Sequence, residues 1–273
     1  MRNGNINKWK FSPNDLTKTP SVTEGFTEAR ERVFREKGCT FIYRVSVSLE
    51  MECSAIATAY LFFHMFYMRE SLQRNNIYDV AGACIFLASK LSTNSIRKIN
   101  SVVVACIRKA LKNDNLVLQE TDKEVILWRK NILFYEETVL NAINYDTQVE
   151  LPYDILLEWS KKNYIPKKVL QAAWCFINDS FRFALCICYH PNELAATALY
   201  VASRLLREPL SVLVTDSHKT IFDVSFNVIE EMTNQFLQSY PNSPMSDLSR
   251  SPETLGDTNN HSPAKHISSS PQA

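Results

Sequence analysis

A thirteen-residue stretch occurs twice in this chain, at positions 114 residues apart. Residues 79–91 read DVAGACIFLASKL, and residues 193–205 read ELAATALYVASRL. Four columns are identical, and most others hold chemically similar residues, such as Lys90 opposite Arg204. Solenoid proteins repeat at roughly 20–50 residues, so the longer offset predicts a duplicated domain instead.

Both copies of this stretch combine small residues with large apolar ones. Small side chains let neighbouring helices approach closely, and the large ones fill the remaining space. A helix that is apolar on nearly all sides is surrounded by other helices, so each half is predicted to be a bundle around its own central helix. The small residues of the first copy are Ala81, Gly82, Cys84, Ala88 and Ser89.

Glycine is scarce, with five residues in 273, whereas typical proteins contain about 7%. The five are too far apart to form a phosphate-binding loop. Tight β-hairpins, which need residues with positive φ, would also lack their usual residue. The composition therefore predicts an all-α protein.

Apolar residues at helical spacing predict a series of helices along residues 21–240. In the first half, a capping box at Ser21 is expected to precede a helix reaching Leu49, and Ser54 to cap the next. Further helices are predicted over 77–91, 95–111 and 121–144. Proline residues are expected in the first turns of three later helices, and a last helix is predicted over 225–240. These prolines are Pro152, Pro166 and Pro191.

Composition divides the chain into a leader, a helical region and a tail, and the repeat divides the helical region into two domains, which gives four predicted segments. Residues 1–20 form a polar leader whose Trp9 and Phe11 are expected to pin it onto the helical domain. The two predicted domains span 21–146 and 147–240. Residues 241–273 are rich in Ser and Pro and hold few aliphatic side chains, so we expect a disordered tail.

Several protein classes are disfavoured by composition and by missing motifs. The seven cysteines include no CxxC pair, and most sit in apolar runs, as expected for buried thiols in a reducing compartment. We find no catalytic motif, and we expect neither a cofactor nor a metal. Residues 1–10 contain no apolar signal core, and the apolar run 55–68 is too short to span a bilayer.

The net charge of +1 removes any general electrostatic argument for nucleic acid or membrane as a direct partner. Basic pairs such as Arg108-Lys109 and Lys161-Lys162 are isolated in sequence, and we interpret them as solvated helix faces. We therefore expect no direct nucleic-acid partner and no membrane.

A set of short stretches resembles the cyclin family over residues 8–238. The likeness is to transcriptional cyclins of the K and T kind, including the cyclin (beta) subunit of the RNA polymerase II carboxy-terminal-domain (CTD) kinase. It implies two tandem five-helix cyclin boxes followed by the tail. The stretches are Lys8-Trp9, TPS at 19–21, TEAR at 27–30, FFHMFYM at 62–68, FLASK at 86–90, YDTQVELPYDILL at 145–157 and WCFINDS at 174–180.

The resemblance also implies a function and a contact site. The chain would be a non-catalytic, nuclear subunit that activates a cyclin-dependent kinase acting on the polymerase CTD during elongation, with a third subunit as a further candidate partner. Lys90 and Glu136 match the cyclin residues that contact the kinase. Ser92 and Thr93 stand where many cyclins carry acidic residues, and the MRAIL docking sequence is absent.

Plainer interpretations stand beside these. Lys90 also suits a helix C-terminus, where a cation complements the helix dipole, and Glu136 suits a solvated helix face. His64 is interpreted as a packed core residue. Four Ser-Pro steps in the tail are candidate phosphorylation sites or simple linker composition: Ser243, Ser251, Ser262 and Ser270.

Three other functions remain open at this point. A mediator-type or splicing-associated cyclin is the nearest alternative. A general transcription factor built from cyclin boxes would usually add a zinc ribbon and a basic surface, and neither is visible. A helical enzyme with scattered site residues is disfavoured because no catalytic motif is found.

Overall fold

The computed structural model describes residues 11–208, 220–221 and 224–238, and this part of the chain is predominantly helical. The first half contains a 3-10 helix η1 (Pro13–Thr17), then α1 (Pro20–Thr23), α2 (Glu28–Ser48), α3 (Cys53–Phe66), α4 (Ile77–Leu91), α5 (Ile99–Ala110) and α6 (Lys123–Ala142). The second contains α7 (Pro152–Lys162), α8 (Lys167–Ser180), the 3-10 helix η2 (Ala184–Ile187), α9 (Pro191–Leu205), strands β1 (Thr220–Ile221) and β2 (Val224–Ser225), and α10 (Phe226–Gln238).

The all-α prediction is confirmed, with one small departure. Strands β1 and β2 pair antiparallel, with Thr220 opposite Ser225 and Ile221 opposite Val224. Helices α2 to α6 are the five expected for the first box. The described residues of the second half contain α7 to α10, and residues 209–219 between α9 and α10 lie outside the description.

The two copies of the repeat are the central helices of the two halves. Helices α4 and α9 each have 15 residues and begin 114 positions apart. Helix α4 packs against α2, α3, α5 and α6, and α9 packs against α7, α8 and α10. The small residues of α4 are all buried, so the prediction of a closely surrounded central helix is confirmed.

Two predicted helix caps were wrong. The chain has a separate short helix, α1, capped by Thr19, and Thr27 caps α2 through a bond from the amide of Arg30 at 3.2 Å. Ser21 is buried instead, and its hydroxyl accepts a hydrogen bond from the amide of Leu72 at 3.0 Å. Ser54 lies inside the first turn of α3, whose N-cap is Glu52. A helix does follow each of the two predicted caps, but the backbone conformation places other residues at the N-cap position.

Prolines open two helices as predicted. Pro152 and Pro191 occupy the first position of α7 and α9, where a missing N–H costs no hydrogen bond. The expectation for Pro166 was wrong by one residue, because it is the N-cap of α8.

The leader is attached to the second half at Phe11. The Phe11 amide donates to the carbonyl of Ile187 at 3.3 Å, and the Phe11 side chain packs partly buried against the core. The predicted pinning is confirmed for Phe11, whereas Trp9 lies outside the described residues. The boundary at residue 146 stays a prediction; α6 ends at Ala142 and α7 begins at Pro152 on either side of it.

A buried histidine joins the halves. His64 of α3 is fully buried, and its Nε2 lies 3.1 Å from the carbonyl oxygen of Phe181, just after α8. Because a carbonyl only accepts, Nε2 carries the proton and Nδ1 is bare; Nδ1 has no hydrogen-bond partner. The interpretation of His64 as a packed core residue is confirmed.

The cysteines are all free, and five of the seven are buried. Burial raises the pKa of Cys39, Cys84, Cys106 and Cys186, so these thiols stay protonated and behave as small apolar groups. Cys53 and Cys175 are exposed.

Gly38 is expected to tolerate no side chain. A Cβ built on it would lie 2.1 Å from Cζ of Phe63, whose ring is fully buried. Gly38→Ala should therefore destabilise the protein by about 1–3 kcal/mol, although the same change elsewhere in a helix usually stabilises by up to about 1 kcal/mol. Chemical denaturation measures the change.

The matched control for this prediction is Gly82→Ala in α4. There the new Cβ meets the flexible end of Ile132 at 3.1 Å, so a smaller loss is expected. A second variant, Gly38→Ala with Phe63→Leu, should recover part of the loss. A stabilising effect of Gly38→Ala alone would contradict the prediction.

Candidate kinase-binding site

The two predicted contact residues lie beside each other and form an ion pair. Lys90 is in the last turn of α4, Glu136 is on α6, and Lys90 Nζ lies 2.6 Å from Glu136 Oε1. The Lys90 side chain is 46% exposed and that of Glu136 is 13% exposed. The Lys90 ammonium also lies 4.1 Å from the centroid of the Phe86 ring, which favours a cation.

Packing of α6 onto α4 brings the pair together. Val125, Ile132 and Val139 recur at a spacing of seven and are buried, so they fix one face of α6 toward the core. Glu136 lies at the margin of that face, and α4 is buried except near its ends. The side chains of two residues 46 positions apart in sequence thus meet at the surface.

A second polar contact joins the same helices. Asn131 Nδ2 donates to Asp79 Oδ1 at 3.2 Å. Burial raises the pKa of Asp79, and the bond from Asn131 partly offsets this effect. Tyr135, between Asn131 and Glu136, also has a pKa raised chiefly by burial. These bonds hold α4 and α6 in register at the partly buried seam.

The outward side of α6 is unusually apolar. Its exposed side chains include Phe134, at 63% exposure, and Leu127, at 57%. Contiguous exposed apolar residues rimmed by charge mark interaction surfaces in soluble proteins. We call this surface, together with the Lys90–Glu136 pair, the α4–α6 face; its exposed apolar members are Leu91, Ile126, Leu127, Leu133 and Phe134.

Sequence reasoning missed this apolar surface, although a signal for it was present. Residues 125–127 and 132–134 are runs of three apolar side chains. Three consecutive helical positions span about 200° of the helix circumference, so one buried face cannot accommodate them all.

Chemically, the pair offers hydrogen-bond donors and acceptors side by side. Only one Lys90 donor is directed to Glu136, so the ammonium keeps donors for a further partner, and the carboxylate keeps acceptor positions. Such a pair can bind backbone N–H and C=O groups of an approaching chain. Because Lys90 is 46% exposed, the pair contributes only about 0–1 kcal/mol to folding.

Ser92 and Thr93 stand where many cyclins carry acidic residues, and Ser92 has a local structural role. Ser92 is the C-cap of α4, and its hydroxyl accepts a hydrogen bond from the amide of Ser95 at 3.2 Å. The hydroxyl therefore orders the turn that follows Lys90. An acidic pair here would have added negative charge beside the contact.

The remaining site predictions have separate outcomes. The four Ser-Pro serines of the tail lie outside the described residues, so their phosphorylation stays a prediction. Among residues 11–208, 220–221 and 224–238, no three His, Cys, Asp or Glu side chains are grouped to hold a metal ion. Over the same residues, no helix has both the length and the apolar character of a bilayer span.

Comparison with known proteins identifies the family. The family model described as "Cyclin, N-terminal domain" matches residues 12–148, which is half of the chain. Cyclin pch1 of Schizosaccharomyces pombe is 41% identical over 199 residues, covering 72% of this chain and 58% of pch1. Human Cyclin-K is 30% identical over 243 residues, covering 85% of this chain and 40% of Cyclin-K.

Solved structures share the fold. A chain of the yeast RNA polymerase II CTD kinase complex CTDK-1 superimposes with a TM-score of 0.70 at 18% identity, covering 86% of this chain and 74% of that one. A chain of the CAK complex of Chaetomium thermophilum gives a TM-score of 0.61 at 20% identity, covering 84% of this chain and 76% of that one.

The tandem helical bundles and the sequence matches together define the class: this chain belongs to the cyclin family. Within it, the relatives are cyclins of the K and T kind, such as Cyclin-K and Cyclin-T1-4 of Arabidopsis thaliana, so the resemblance seen in the sequence is confirmed. The chain spans about half the length of the curated relatives it matches.

Proposed function

We propose that this cyclin is a non-catalytic regulatory subunit that binds and activates a cyclin-dependent kinase. Its substrate would be the RNA polymerase II CTD, phosphorylated in the nucleus during elongation. The observation that carries this proposal is the Lys90–Glu136 pair beside an exposed apolar surface, in a chain whose relatives are transcriptional cyclins. The superimposed yeast chain comes from a complex described as a CTD kinase, which supports the substrate assignment.

The α4–α6 face would bind the regulatory C-helix of the kinase. Apolar side chains such as Phe134 and Leu133 would supply buried area, and the ion pair would bind main-chain groups at the ends of that helix. Polar contacts of this kind fix the register, whereas apolar anchors supply most of the affinity.

Activation follows from differential binding. A kinase transfers phosphate only when its Lys–Glu ion pair and activation segment are in place. The active kinase conformation has its C-helix in place. If the cyclin binds this conformation more tightly than the inactive one, the equilibrium shifts toward the active conformation. The cyclin then needs no catalytic residue of its own. A third subunit of the complex is a further candidate partner.

The proposal is tested by kinase activity on a heptad-repeat peptide, after co-expression of this chain with candidate transcriptional kinases. Activity should require the chain. The Lys90→Ala, Glu136→Ala variant should bind the kinase at least about 30-fold more weakly, because each of the two lost desolvated bonds costs about 1–3 kcal/mol. Its melting temperature should change little, since Lys90 is 46% exposed and the ion pair is in contact with solvent.

Charge exchange separates a kinase contact from a structural link between α4 and α6. Lys90→Glu combined with Glu136→Lys restores an ion pair within the cyclin but presents the charges in the wrong places to a partner. Binding should stay weak in this variant. A matched control is Lys109→Ala with Asp114→Ala, another Lys–carboxylate pair at 2.7 Å in the first half, whose loss should leave binding unchanged.

The outcomes discriminate among the alternatives. Full binding by the exchanged pair would assign Lys90 and Glu136 a structural role and move the interface elsewhere. Activation of a kinase that ignores the heptad peptide would favour the mediator-type or splicing-associated alternative. Failure to bind any kinase would contradict the proposal and favour a scaffold.

A further inference from the structure

Six basic side chains lie at one end of the second half. Two end α7, two begin α8, and two lie at and just beyond the end of α9. All six are exposed. We call this surface the basic end; its members are Lys161, Lys162, Lys167, Lys168, Arg204 and Arg207.

The helix directions explain why these residues meet. Pro152 and Pro191, the first residues of α7 and α9, line one cavity together with Leu194, so the two helices start side by side. Lys168, at the start of α8, forms an ion pair with Glu208, just after α9. Helix α8 is therefore antiparallel to α9, and the three helix ends converge. Lys161 and Lys162 are exposed, in agreement with their interpretation as a solvated helix face, and this pair, isolated in sequence, has basic neighbours from other helices.

The charge of this end departs from that of the chain. The basic end holds six of the 30 basic residues of the chain. Among residues 204–208, Glu208 is acidic, and Glu158 lies one turn before Lys161 and Lys162 on α7. The whole chain has a net charge of only +1.

Folding accounts for only part of this charge. Cations near the C-termini of α7 and α9 complement the helix dipoles. Lys167 and Lys168, however, lie in the first turn of α8, where the dipole disfavours cations and which contains no acidic residue; Glu208 pairs with Lys168 alone. Like charges placed together against the dipole indicate a ligand that supplies the missing negative charge.

Tyr164 lies among these cations and is 91% exposed. It follows α7 with a φ of +52°, in the left-handed region where glycine is the usual residue. A planar ring in solvent between Lys162 and Lys167 is suited to stacking on a flat ligand.

We infer that the basic end binds a single-stranded nucleic acid without sequence preference. The lysines and arginines would contact phosphates, and Tyr164 would stack on a base, which is the usual combination for such ligands. A phosphorylated peptide fits less well, because its recognition uses clustered arginine forks, and four of these six cations are lysines. The inference departs from the expectation based on the net charge of the whole chain, and it is independent of the proposed kinase.

Fluorescence anisotropy with a labelled 12-nucleotide oligouridylate, and with oligothymidylate, tests the inference on the full chain. Wild type should bind on the order of micromolar at low salt and progressively more weakly as salt rises. The variant Lys161→Ala, Lys162→Ala, Lys167→Ala, Arg207→Ala should bind at least about tenfold more weakly, with a shallower salt dependence. The control variant changes four exposed cations of the first half: Arg44, Lys112, Lys123 and Lys130 to Ala.

Tyr164 provides the sharper test. Tyr164→Ala should weaken binding by about 5- to 100-fold through lost stacking, whereas Tyr164→Phe should retain it. Equal weakening by both four-residue variants, or no effect of Tyr164→Ala, would overturn the inference. So would tighter binding of a phosphorylated Ser-Pro peptide, or of duplex, to the same residues. Melting temperatures check that each variant is folded.

Discussion

Arg35→Ala should lower the free energy of unfolding by about 3–5 kcal/mol, because it leaves the Glu31 carboxylate buried without its partner. Both side chains are about 5% exposed, and Arg35 Nε lies 2.7 Å from Glu31 Oε1. The guanidinium also donates to the carbonyl oxygens of His64 at 3.0 Å and Tyr67 at 2.8 Å. The hydroxyl of Thr19 donates to the other Glu31 oxygen, so one group joins α1, α2 and the end of α3.

Urea denaturation followed by circular dichroism measures this change. The matched control is Arg32→Ala on the same helix, since its contact with Glu36 is exposed and 3.9 Å long; a loss below about 0.5 kcal/mol is expected. Arg35→Met combined with Glu31→Leu removes both charges and should be much less harmful than Arg35→Ala alone. A loss below about 1 kcal/mol in Arg35→Ala would show that Glu31 finds other partners.

Acidification should destabilise the protein through His64, between pH 6.5 and about pH 3. Burial, with help from the positive charge of Arg35, lowers the pKa of His64 to about 3. In the unfolded chain His64 is therefore protonated below about pH 6.5, whereas in the folded chain it stays neutral down to about pH 3. The unfolded state binds more protons in this range, so the free energy of unfolding falls as pH falls. The loss attributable to His64 should reach about 2–3 kcal/mol at pH 4.5.

His64→Gln isolates this contribution. Glutamine keeps an N–H donor for the Phe181 carbonyl but does not titrate. Unfolding free energies of both proteins, measured from pH 7.5 to pH 4, should fall more steeply with acid for the wild type. Parallel curves would mean that His64 is accessible to protons in the folded state.

The repeat was the most informative part of the sequence for the fold. Helix α4 was predicted with its observed bounds, because an apolar run with small residues leaves few alternative placements. Helix starts were predicted less well. Ser21 and Thr19 are both residue types favoured at N-caps, and the Ser21 hydroxyl instead accepts a tertiary hydrogen bond from Leu72.

The candidate site was only partly predictable. Lys90 and Glu136 were identified through family resemblance. Their ion pair depends on the packing of α6 against α4 and could not be predicted from the sequence around either residue. The basic end was missed for the same reason. Lys162 and Arg204 are 42 residues apart, and only the directions of three helices bring such charges together.

Each of the two central helices ends with a cation above an aromatic ring one turn earlier. Lys90 lies 4.1 Å from the ring centroid of Phe86, and Arg204 lies 5.6 Å from that of Tyr200. The same arrangement therefore occurs at equivalent positions of the two copies of the repeat. Lys90 faces a carboxylate, whereas Arg204 lies among further cations, so equivalent helix ends present surfaces of different electrostatic character.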